Sequence, residues 1–182
     1  MKNYLLFILL AVLVGCAPAL TVNYDYDKTA DFTSFKTFKF TDGARNFQIN
    51  ELNRNRLLEA ITSELGKKGI TPSDQNPDLL VDLSGRIKVE REATATNTGG
   101  YGYYGHGYPY GWGPGFSTTQ INVNTYQVGT LFIDLIDAKA NRLIWHGTGE
   151  RVIDENASPE TREKRIGDGV TRIFYNYPPK SK

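Results

Sequence analysis

Apolar and polar residues alternate with a period of two over several stretches of this chain and recur with a helical period over two others. Val22, Tyr24 and Tyr26 alternate with Asn23 and Asp25, which predicts a short strand with one aromatic face. Phe38 and Phe40, between Thr37 and Lys39, predict a second strand beginning at Lys36 and ended by Asp42-Gly43. From Asp78 to Arg91, Leu79, Val81, Leu83, Ile87 and Val89 hold the odd positions and Asp82, Arg86, Lys88 and Glu90 the even ones, a long half-buried strand. Ile121, Val123 and Thr125 open another. Its apolar phase moves to even positions at Tyr126 and Val128 and back at Leu131, Ile133 and Leu135, which predicts a bulge near Gly129. Asp137 to Asn141 reads as a turn. The strand from Arg142 to Ile153 follows, with Leu143 and Trp145 expected inward and antiparallel pairing to the preceding strand.

Helical spacing takes over twice. Asn50 can cap a helix reaching about Lys68, with Gly69 placed to end it. Leu57, Leu58, Ile61 and Leu65 form its apolar stripe, and Arg54, Glu59, Glu64 and Lys67 fill the polar remainder. Ser158-Pro159-Glu160 supplies a cap, a first-turn proline and a first-turn acid for a helix to about Tyr175, buried through Ile166, Val170, Ile173 and Phe174. One-faced strands with one-striped helices imply an α+β domain: a two-layer sandwich with a largely antiparallel sheet and two helices packed on one face. Alternation does not fix the strand order.

The first residues do not fit that domain. Lys2 precedes ten uninterrupted apolar residues, Leu5 to Val14, a length that suits a signal peptide and falls short of the ~20 needed to span a bilayer. Leu13-Val14-Gly15-Cys16 resembles the lipobox of bacterial lipoproteins. That resemblance implies cleavage before Cys16, diacylglycerol on its sulfur and a further acyl chain on the new amine. Residues 1–15 are then a signal peptide, 16–20 a lipidated tether, and 21–179 one domain. Because Ala17 rather than Asp follows the cysteine, the expected destination is the outer membrane. Cys16 is the only cysteine, so no intramolecular disulfide is available.

Charge narrows the partners. The chain has 21 basic and 20 acidic side chains, and losing residues 1–15 removes only Lys2, so the mature form is formally neutral. A neutral chain lacks the basic footprint of a nucleic-acid binder and the polybasic segment of a headgroup binder. The expected partners are the membrane, through the anchor on Cys16, and an envelope glycan, lipid or protein.

Asp25-Tyr26-Asp27, Asp31-Phe32, Phe35-Lys36-Thr37-Phe38, Pro77-Asp78-Leu79-Leu80-Val81, Gly129 to Leu135 with Asp137, Leu143 to Gly147, and Tyr177-Pro178-Pro179 together resemble the DUF4136 family of bacterial envelope lipoproteins. The similarity covers about residues 20 to 179. It implies a lipidated envelope α/β domain and names no activity.

Residues 99–116, GGYGYYGHGYPYGWGPGF, hold eight glycines and no Asp, Glu, Lys or Arg. Gly100 to Gly105 match the GxGxxG fingerprint, but Gly107, Pro109, Gly111, Gly113 and Pro114 forbid the helix that fingerprint requires. Residues 97–117 therefore read as a loop inserted at the tip of a hairpin formed by strands 78–91 and 119–136. Its Tyr101, Tyr103, Tyr104, Tyr108, Tyr110, Trp112 and Phe116 suit a wet bilayer edge or stacking on a sugar or a partner protein.

For catalysis the only histidines are His106, in that loop, and His146, expected to point away from the core. No serine stands in a nucleophile elbow and no cysteine is free for catalysis. Asp25, Asp27 and Asp31 lack the glycine and the twelfth-position Glu of a calcium loop, and Asp134 and Asp137 read as a strand position and a turn. No catalytic, cofactor-binding or metal-binding residue is therefore assigned. The expected function is non-enzymatic binding at the membrane surface, with a hydrolase acting on glycan or lipid as the alternative and self-assembly through a sheet edge as a third course.

Overall fold

Five strands and two helices arise near where the alternation and the caps place them, and a two-residue strand at Thr71–Pro72 and a one-turn helix at Asp42–Arg45 are added, in a computed structural model that describes residues 20–99 and 117–179, with side chains for 20–96 and 119–179. In chain order they are β1 (Thr21–Tyr26), β2 (Thr37–Phe40), α1 (Asp42–Arg45), α2 (Glu51–Lys67), β3 (Thr71–Pro72), β4 (Leu79–Gly99), β5 (Ser117–Asp137), β6 (Arg142–Val152) and α3 (Pro159–Ile173), with a 3-10 turn at Phe174–Asn176. The strands form one open sheet in the order β1-β6-β5-β4-β2-β3. Its pairs are antiparallel except β2 with β4 and β2 with β3. The fold is mixed α/β, largely antiparallel, and the hairpin expected from residues 78–91 and 119–136 is β4–β5.

Local signals act as expected. Asn50 accepts from Leu52 N, Ser158 accepts from Thr161 N, and Gly69 ends the second helix at φ +77°. One face of the sheet, carrying Leu79, Val81, Leu83, Ile133, Leu135 and Trp145, is buried with Leu57, Ile61 and Leu65 of α2 and Val170 and Ile173 of α3. Trp145 stacks on Phe174 at 5.1 Å between ring centroids and meets Tyr177 edge-on at 5.4 Å. α3 reaches the sheet because β6 offers Gly147 and Gly149. A Cβ on Gly147 would lie 2.7 Å from Ile173 Cγ2 and collide with the Trp145 ring, and one on Gly149 would lie 2.8 Å from Ile173 Cδ1.

The parallel pairing of β2 with β4 is fixed by Asp78. Its carboxylate accepts from Lys36 N at 3.0 Å, from Thr37 N at 3.2 Å and from Thr37 Oγ1 at 3.0 Å, while Asp78 N donates back to Thr37 Oγ1 at 3.0 Å. The Lys36 amide, followed by the Thr37 hydroxyl and Lys139, outweighs desolvation and lowers the Asp78 pKa to about 2.

Four expectations are corrected. The register of β4 with β5 is unbroken from Leu79↔Asp137 to Gly99↔Ser117, so there is no bulge at Gly129 in that pair; Val128 is buried on the opposite face, and two-sided burial had imitated a phase slip. The irregularity lies instead between Leu135↔Trp145 and Ile136↔Leu143, which leaves Ile144 unpaired and buried and turns Leu143 outward, 48% exposed. Glu64 is buried rather than solvated. Desolvation raises its pKa, but hydrogen bonds from Lys67 Nζ at 2.6 Å and Thr171 Oγ1 at 2.7 Å outweigh that, so it stays below the usual value and ties α2 to α3.

The fourth concerns the hairpin. β4 and β5 continue past Val128 as a two-stranded arm roughly 40 Å long at ~3.3 Å per residue, taking in residues 97–99 and 117 of the expected insertion. Ile87 is 64% and Ile121 65% exposed there. Alternation marks the apolar side of a strand, and along the arm nothing among the described residues covers that side.

Gly147→Ala is expected to cost about 1–3 kcal/mol by overpacking against Trp145 and Ile173, whereas Gly167→Ala, whose added Cβ meets no atom within 4 Å, should gain up to ~1 kcal/mol of helix stability; thermal unfolding of the two variants reads both signs. Because the folded pKa of Asp78 is depressed, its contribution is complete above pH 4 and is lost as pH falls from about 4 towards 2. Urea midpoints should accordingly fall more steeply over that interval for the native chain than for Asp78→Asn.

Candidate functional site

The clearest concavity opens on the inner face, where the sheet loses its side chains. Gly85, Leu131 and Gly149 are neighbours across β4, β5 and β6, and the next row is Ile87, Gly129 and Arg151. The hollow beside these rows, between sheet and helices, holds about 550 Å³, within the ~300–1,000 Å³ range of small-molecule sites, and Phe47, Ile153 and Ile173 cover the three glycines so closely that an added Cβ would come within 2.7, 3.1 and 2.8 Å of them. Phe47 and Ile49 wall it before α2, Ile166 and Ile173 wall it on α3, and Ile153 closes the end of β6. Its lining is predominantly apolar.

Three arginines, Arg86, Arg151 and Arg165, are the only charged residues in that lining. Arg165 is committed to Asp154 at 2.8 Å. Arg86 and Arg151 have no carboxylate within ion-pair distance among the described residues. Arg151 Nε is moreover buried without a hydrogen-bond partner. The other two buried side-chain atoms in that condition, Trp145 Nε1 and the Tyr177 hydroxyl, belong to core residues, and burial pushes the Tyr177 pKa far up. Leu20, the first described residue, lies at the groove, 3.6 Å from where a Cβ on Gly149 would sit and 3.9 Å from one on Gly169.

The opposite face carries a second arrangement. Asp25, His146, Asp134 and Asp82 are successive cross-strand neighbours over β1, β6, β5 and β4. His146 Nδ1 hydrogen-bonds the Asp134 carboxylate, and Phe132 stacks on the imidazole at 5.8 Å. Asp82 accepts from Thr41 Oγ1. His146 faces away from the core as its position predicts, but its pairing with Asp134 depends on the irregularity at Ile144, which shifts the register by one residue and was invisible in the sequence. No group of three His, Cys, Asp or Glu side chains among the described residues converges on a metal-sized space.

Other sequence-level candidates have local employment. Asp27 takes the Thr29 amide and hydroxyl and pairs with Arg142 at 2.8 Å, Asp31 takes the Thr33 amide and hydroxyl, and Asp137 accepts from Lys139 N and Ala140 N. Cys16, His106 and the loop aromatics Tyr101, Tyr103, Tyr104, Tyr108, Tyr110, Trp112 and Phe116 lie outside the described residues.

A family model, the domain of unknown function DUF4136, matches residues 22–179. The chain belongs to the DUF4136 family. This DUF4136 domain is similar in fold to a PDZ domain protein from Parabacteroides distasonis, at 18% identity and a TM-score of 0.53; the alignment covers 100% of this chain and 41% of that one. It also aligns with the PelC dodecamer from Paraburkholderia phytofirmans, at 12% identity and a TM-score of 0.49, over 86% of this chain and 95% of that one. No curated protein matches it in sequence.

His146→Ala and Asp134→Asn in this DUF4136 domain should lower stability by at most about 1–2 kcal/mol, since both side chains are partly exposed. Denaturant unfolding of the single and double variants gives the coupling between them.

Proposed function

We propose that this chain is a lipid-anchored protein of the cell envelope that works by binding rather than by catalysis, with the inner-face groove as its binding surface. In this reading residues 1–15 are removed, Cys16 is acylated, and the domain stands at the outer membrane, facing the periplasm or the cell surface. α2 and α3 form a layer over the inner face, so the groove lies between layers and opens beside the chain's point of entry. The observation that carries the reading is Leu20. It lies at the groove beside Gly149 and Gly169, only four residues beyond Cys16. At ~3.5 Å per residue the tether reaches roughly 15 Å, so an acylated Cys16 holds the groove within that distance of lipid. The aromatic residues between 100 and 116, the segment that joins β4 to β5 in sequence, are a further proposed contact for envelope glycan, lipid or protein.

A second reading, hydrolysis of envelope glycan or lipid, is favoured by the His146–Asp134 pair, because a carboxylate-held imidazole is the usual general base. Among the described residues, no Ser, Thr or Cys side chain hydrogen-bonds that imidazole.

Each acyl methylene contributes about 0.8 kcal/mol of membrane affinity, so the native protein should take up labelled palmitate and sediment with membranes, and Cys16→Ser should do neither. A Cys16→Ser protein still processed at the same bond, labelled and pelleted, would overturn the anchor. If His146→Ala lowered hydrolysis of an envelope lipid or glycan by about 10²–10⁴-fold, the second reading would replace the first.

A further inference from the structure

We infer that the groove is a site for a single-chain fatty acid, with its acyl chain against the apolar side chains that cover Gly85, Gly129 and Gly149 and its carboxylate on Arg151. The inference rests on the groove being the binding surface and adds the chemical class of what enters it.

Two observations independent of the hollow's size carry it. The first is charge: Arg151 is the one charged side chain that faces the groove without a carboxylate among the described residues, since Arg165 pairs with Asp154 and Arg86 alternates with Gly85 and Ile87 onto the other face. Such a site discriminates against cationic and zwitterionic heads and favours an anion. The second is the unpartnered donor. Arg151 sits beside Gly129 on the groove face, it lines the groove, and its Nε is buried with no acceptor. A buried donor without a partner is costly, and a charged one more so, unless a ligand supplies the acceptor. A guanidinium fork matches a carboxylate through two parallel N–H···O bonds, and Nε is one of the nitrogens that can form them. The remaining walls are mainly apolar, through Phe47, Ile49, Leu131, Ile153 and Ile166, with Gln48, Asn53 and Thr130 as their polar members. One acyl chain suits a hollow of about 550 Å³ with so apolar a lining.

Gly169 gives a plug that leaves the fold intact. It faces the groove from α3, and a Cβ there meets only Leu20 Cδ2, at 3.9 Å. Gly169→Leu therefore fills the hollow while improving helix propensity.

The test uses the full chain reconstituted in phosphatidylcholine vesicles, with a diazirine-bearing palmitate as probe and peptide mapping of the photoadduct. Adducts are expected on residues 149–153 and 165–173. Unlabelled palmitate should displace the probe about ten- to a hundredfold better than hexadecanol, the increment a charge-assisted hydrogen bond supplies. Arg151→Gln should remove that preference, Arg151→Lys should restore part of it, and Gly169→Leu should abolish the adduct with no fall in melting temperature. Equal competition by palmitate and hexadecanol, or an unchanged preference in Arg151→Gln, would sink the fatty-acid assignment and leave the groove as a binding surface. Adducts scattered over the chain with none in the groove, or a groove filled by the protein's own Cys16-linked acyl group, would sink it as well. Loss of palmitate labelling at Cys16 bears on the anchor alone, so the two failures stay distinguishable.

Discussion

The absence of side chains on one patch of the inner face governs the rest of the domain. Gly147 and Gly149 let Ile173 come within van der Waals range of the β6 backbone, which seats α3 and brings Phe174 and Tyr177 around Trp145. Gly85, in the row of Gly149, and Gly129, in the next, continue the same surface, and there Phe47 and Ile153 come close to the backbone instead. One end of the glycine patch is covered from a helix and the other from the chain beside it, and the groove opens among those covering side chains. Packing and the candidate site are thus two outcomes of one local composition.

Polar ties hold this arrangement in register where apolar packing alone would let it slide. Asp78 clamps β2 against the start of β4, and Glu64 links α2 to α3 through Thr171 while Lys67 offsets its charge. Both carboxylates keep depressed pKa values despite desolvation, so hydrogen bonding dominates at each. At Glu64, which is buried, this specifies position more than it adds stability, because removing a partner exposes the desolvation cost of the carboxylate.

Features encoded within a few residues were legible in the sequence. Asn50, Ser158-Pro159 and Gly69 bound their helices within two or three residues of expectation, and Val170, Ile173 and Phe174 are buried as their spacing demands. What failed was decided across strands. Glu64 looked solvated because its partner Thr171 is 107 residues away, and Leu143 looked inward because the unpaired Ile144 is set by β5. The groove was illegible for the same reason, drawing on residues from Leu20 to Ile173. A signal for it was nonetheless present: glycines at 85, 129 and 149 inside alternating strands mark places where a side chain is excluded.

The two faces of the sheet differ in charge as well as cover. On the groove face Arg165 is neutralised by Asp154, which leaves Arg151 with no carboxylate within ion-pair distance among the described residues, whereas Asp25, Asp134 and Asp82 flank His146 across the other. Each carboxylate of that row has a hydrogen-bond partner of its own: Tyr26 N for Asp25, His146 for Asp134 and Thr41 for Asp82. The acidic row is therefore satisfied within the domain, and it is the groove that holds a charged side chain with a buried, unpartnered nitrogen. An unmet donor is a demand on whatever enters, so of the two faces the groove is the one whose chemistry is incomplete.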